Sequence, residues 1–147
     1  MTMAPKLRVR QLITGIQQDC GRYAELQQLL LAQYRLLASH DVDGLTKHNY
    51  QQTRVMSEIQ QQVQQRCQHL RALGLKPDEQ GMATLIGKLP SPLQQQVGEQ
   101  WRRLEQLLLQ CRRQNEQNGR LLAGQIETIN TLLGQESAYG RQERFPD

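Results

Sequence analysis

The chain has 147 residues, enough for one domain. Only 37% of them are hydrophobic and 4% aromatic, below the roughly 45–50% apolar usage of globular chains, which excludes a large rounded core. The net charge of +4 is scattered rather than gathered on one face with interleaved aromatics, which argues against nucleic-acid binding, and no apolar run reaches 18 residues, which argues against a membrane span.

The opening segment MTMAPKLRVR has no apolar stretch and no small-residue cleavage site, so it does not read as a secretory signal. Pro5 suits a helix start, because its missing N–H is not needed there. From it Leu12, Ile13, Ile16, Cys20, Tyr23, Leu26, Leu30, Tyr34 and Leu37 recur at three- and four-residue steps. That spacing predicts one amphipathic helix over about residues 6–38.

The segment SHDVDG breaks the pattern. Asp41 suits the N-cap of a second helix and Asp43 its positive dipole end. Leu45, Met56, Ile59, Val63, Cys67, Leu70 and Leu73 then carry a helix over 42–73. Gly74 suits the left-handed position past its end, Leu75 the return contact, and Pro77 the stop. Two helices of similar length joined by a few residues must lie antiparallel.

Residues 78–89 read as a short helix capped by Asp78, with Met82, Leu85, Ile86 and Leu89 to plug one end of the hairpin. Ser91, Pro92 and Gln94 form a sequence-level capping box for a last helix over 92–133, with Gly134 as its end and 134–147 as a mobile tail. The expected fold is all-α, an elongated antiparallel bundle of three long helices with a short one between the second and third. The last helix is longer than its partners, so Ile126, Ile129, Leu132 and Leu133 should overhang with little to cover them.

Glutamine, present 26 times, solvates these helices without adding charge. The three cysteines (Cys20, Cys67 and Cys111) are far apart, lie on or beside apolar stripes, and read as reduced thiols in a cytosolic protein. His40, His48 and His69 lack metal-site spacing, and Gly81, Gly87 and Gly98 make no phosphate loop. Nothing here points to enzyme chemistry, a metal or a cofactor. Trp101 reads as core.

One stretch resists the pattern. Stepping along the last helix in threes and fours gives Trp101, Leu104, Leu108, Cys111, Asn115, Asn118, Leu122, Gln125, Ile129 and Leu132. Two amides and Gly119 interrupt a face that should be apolar. A buried amide without partners costs about 1–3 kcal/mol, and Gly119 and Gly124 each cost about 1 kcal/mol relative to Ala. Either Asn115 and Asn118 bond each other or their neighbours and set register, with Gly119 admitting a close helix, or the helix is weak here so that its end can engage another chain. Periodicity leaves both open.

The segment RQNEQNGRLLAGQIETINTLLG, followed by SAYG, resembles the C-terminal signature of the FlgN family of flagellar type III export chaperones. The carrying residues are Asn115, Asn118, Gly119, Leu121 and Leu122, then Tyr139 and Gly140. HDVDGL and RCQHLRALGL resemble the family's interhelical turn and second-helix end. The tail RQERFPD departs from the family pattern. The resemblance implies a cytoplasmic chaperone, monomeric or weakly dimeric. It implies that the clients are the hook-associated proteins FlgK and FlgL, with the flagellar export gate as a further partner. Taken with the overhang, it points to client anchors at Leu122, Ile126, Ile129, Leu132 and Leu133, with Asn115, Asn118 and Gly119 at the root of the binding segment and Tyr139 docking on the client or the export gate. The rival reading is a coiled-coil adaptor that oligomerises through its last helix.

Overall fold

The computed structural model describes residues 3–144, and the side chains of residues 3–134. Four helices follow in order: α1 (Pro5–Ala38), α2 (Val42–Ala72), α3 (Glu79–Gly87) and α4 (Leu93–Arg144). No strand occurs among the described residues.

Local chemistry sets the ends. Pro5 opens α1. The Asp41 carboxylate caps α2 by accepting from the Gly44 N–H at 2.9 Å. After α2 the backbone turns at Gly74, whose φ of 75° is the left-handed region that glycine enters without steric cost, and the Leu75 N–H returns to the Leu70 carbonyl at 2.9 Å. Asp78 caps α3 through the Gly81 N–H at 3.1 Å, where a Cβ on Gly81 would run into the Lys76 carbonyl.

The expected capping box at Ser91 is not what holds the next turn. Gln94 instead sends its amide to the Ile86 and Gly87 carbonyls, at 3.2 and 2.9 Å. It thereby satisfies the orphan acceptors at the end of α3 rather than the donors at the start of α4.

α1 is the central rod. α2 returns antiparallel along it and α4 runs parallel to it, and α2 and α4 meet mainly through side chains across a shallow groove rather than by close backbone packing. Leu12, Ile16, Leu30, Val55, Leu70 and Val97 are among the residues buried between these rods. Each contributes on the order of 1.5–3 kcal/mol of gross transfer energy.

A buried charge ties the three rods together. Asp19 of α1 accepts from Arg66 of α2 at 2.9 Å and from Arg22 at 3.4 Å. The Arg66 guanidinium lies 5.3 Å from the centre of the Trp101 ring on α4, a cation–π distance. Trp101 packs against the core as its spacing suggested.

α3 closes one end of the shallow groove between α2 and α4. Its Met82 shares a cavity lining with Val63 and Leu70 of α2 and Trp101 and Leu104 of α4.

The last helix departs from the expected boundary: α4 passes through Gly134 and runs to Arg144. A helical glycine costs only about 1 kcal/mol, and between Gly134 and Arg144 there is no proline and no left-handed residue to stop the helix.

Candidate functional site

The α1–α4 seam is written in hydrogen bonds of constant register. The Cys111 thiol donates to the Tyr23 carbonyl at 3.4 Å, Asn118 Nδ2 to the Leu30 carbonyl at 2.8 Å, and Gln125 Nε2 to the Leu37 carbonyl at 2.8 Å. Each pair is 88 residues apart. A constant offset along two helices means that they run parallel and in step, and a seven-residue step means coiled-coil geometry. Mid-helix carbonyls can receive these bonds because each oxygen has a second lone pair.

Asn118 is therefore buried and satisfied. It is 3% exposed, gives its second proton to Gln33 Oε1 at 2.9 Å, and accepts from Gln114 Nε2 at 2.9 Å. Of the two accounts left open by the sequence, register-setting is the one the geometry supports at this residue. It does so with α1, not with Asn115.

Three expectations about the seam change. Asn115, Gly119 and Leu122 are exposed rather than buried against α1, Asn115 at the rim of a cleft over it. The face against α1 steps in strict sevens through Val97, Leu104, Cys111, Asn118 and Gln125, with Leu107 in between, so the path through 115 and 122 follows a neighbouring line of the helix. Gly119 admits no close helix within the chain, since nothing lies within 4 Å of the place its Cβ would take.

The overhang follows from the register. With an offset of 88, Ala38, the last residue of α1, lies level with Ile126. From there to Arg144 α4 has no α1 beside it, about 27 Å of helix at 1.5 Å per residue. Leu122, Ile126, Ile129, Leu132 and Leu133 are 45–59% exposed. Among them 122, 126, 129 and 133 alternate four, three, four, which is a heptad seam with no partner helix among the described residues. The backbone of Tyr139 lies in α4; its side chain, and residues 145–147 of the tail, fall outside the described residues.

The electrostatics of the bundle are structural. Burial raises the Asp19 carboxyl above its ordinary value, against the pull of Arg66 and Arg22. Burial also raises Cys111, to about 11, so it stays a neutral donor. Among the described residues no cluster of His, Cys, Asp or Glu could hold a metal ion, and no helix is long and apolar enough to cross a membrane. The reading by periodicity missed Asp19. A lone carboxylate within the helix-one stripe between Ile16 and Tyr23 was the available signal.

The family model described as "FlgN protein" matches residues 1–134. The chain belongs to the FlgN family. FlgN proteins are flagellar export chaperones, a family of binding proteins rather than enzymes. The FlgN match takes in α1, α2, α3 and the exposed row of α4 from Leu122 to Leu133, and it stops before Tyr139. No match is found among curated proteins or among solved structures.

Proposed function

We propose that this FlgN-family chain is a cytoplasmic chaperone for the hook-associated proteins FlgK and FlgL, and that it holds an amphipathic terminal helix of either client against the overhang of α4. The observation that carries the reading is the exposed row Leu122, Ile126, Ile129, Leu132 and Leu133 on an otherwise polar helix end. A client helix laid along it completes a coiled-coil seam, anchored at i, i+3, i+4 and i+7. Each half-exposed side chain covered returns about 1 kcal/mol gross, against association and ordering costs. The expected affinity is in the micromolar to nanomolar range. Asn118 and Gln125 clamp the root of the segment to α1, and Asn115 and Gly119 present a small polar entry to it. Tyr139, beyond the aliphatic row, is proposed to touch the client or the export gate; unchanged motility and client co-purification for Tyr139→Ala would remove that role.

The test is co-expression of the full chain with FlgK or FlgL. The reading expects a 1:1 complex that Ile129→Glu abolishes without unfolding the chaperone. A second reading, an adaptor that self-associates, draws on the same four-three-four spacing. It expects a dimer at low micromolar concentration that ignores both clients.

A further inference from the structure

The groove between α2 and α4 holds two hollows. At the end nearer α3 the buried Met82, 1% exposed, narrows the space between the two walls and a cavity of about 150 Å3 remains. At the other end a cleft of about 140 Å3 is left, with Tyr23, Leu26 and Leu30 of α1 beneath it, Met56 of α2 on one side, and Leu108 and Asn115 of α4 on the other. Met56 is 49% exposed there. Leu108, Asn115, Leu122 and Ile129 are successive sevens on α4, so this wall of the cleft leads without a break into the exposed row of the overhang.

We propose that the Met56 cleft is the inner part of the client track, with α2 as its far wall. An amphipathic helix of the client enters over Tyr23, Leu26 and Leu30, sets a bulky aliphatic side chain against Met56, and continues along Leu122, Ile126 and Ile129. This rests on the chaperone reading above and extends it to a second helix. α3 shows the mode within the chain itself: a short helix seats the buried Met82 in the same groove, in line with the Met56 cleft. The track from Leu108 to Leu133 is about 38 Å, the span of a client helix of about 25 residues. Arg112 is the charged side chain lining the cleft, so the matching helix carries a carboxylate on that flank.

Methionine methyl groups read the two halves separately. The full chain, labelled with 13C-methyl methionine, is mixed with FlgK or FlgL, and Met56→Leu assigns the Met56 signal. The Met56 methyl is expected to shift or broaden at stoichiometric client while Met82 stays in place. Met56→Glu is expected to weaken the complex by about tenfold or more. A 1:1 complex with Met56 unmoved and Met56→Glu binding like wild type overturns this inference and leaves the overhang reading standing. No complex with either client overturns both. A Met56 signal that moves with chaperone concentration alone assigns the groove to a second copy and also overturns it.

Discussion

Asn118 shows how one polar side chain can belong in a seam. Its three hydrogen bonds use both amide protons and its oxygen, so burial leaves nothing unpaired. Asn118→Ala should cost about 2 kcal/mol, lowering the melting temperature by about 4–8 °C for a chain of this size. Asp19 makes a different prediction. Its folded pKa lies above the unfolded 3.8 because burial outweighs Arg66 and Arg22. Such a carboxyl holds its proton more tightly when folded. Its contribution is greatest below the unfolded value and falls as pH rises through the raised folded value. Urea denaturation of wild type and Asp19→Asn should therefore show the difference moving in favour of wild type as pH is lowered from about 7 to about 4. A flat or reversed trend contradicts the assignment. Cys111, pushed up to about 11 and bonded to Tyr23, should resist iodoacetamide near pH 8 until the chain is denatured, as mass mapping of the modified cysteines would show.

At the scale of the element, α4 carries two faces that part company near residue 118. One face steps in sevens against α1 and becomes more polar along its length, from Val97 and Leu104 through Cys111 to Asn118 and Gln125. The other is aliphatic and uncovered from Leu122 onward. The sequence showed the amphipathic character and the aliphatic end, because three- and four-residue spacing survives any choice of partner. It did not show which of two adjacent lines meets α1. Both Leu104–Cys111–Asn118 and Leu108–Asn115–Leu122 fit the period, and only the position of α1 decides between them. Gln94 was misplaced for a similar reason: serine-proline-x-glutamine fits a capping box, yet the neighbouring carbonyls of α3 offered it better acceptors. Gly119 tests the division of α4. With open space around its Cβ position, Gly119→Ala should stabilise the unbound chain by about 1 kcal/mol, or about 2–4 °C. The same change should weaken client binding if the client backbone approaches there. Calorimetric melting and titration on the one variant check the two effects independently.

At the scale of the molecule, the unequal lengths of the helices produce the function proposed for it. The turn and cap chemistry at Asp41, Gly74 and Asp78 was legible in the sequence, and so was the all-α bundle. The further run of α4 beyond Gly134 was not, since a single glycine reads as a stop when no neighbour is known. The parallel register with α1 then leaves the end of α4 beyond its support, with its aliphatic row exposed. A stable fold does not need those residues, so Ile129→Glu should change the unfolding free energy by no more than about 0.5 kcal/mol. The most direct measurement is calorimetric titration of FlgK or FlgL into the wild-type chain and into the folded Ile129→Glu variant. The account predicts one client bound per chaperone by the wild type and no measurable heat of binding with the variant. Equal affinity for both proteins, with the variant shown to be folded, would contradict it.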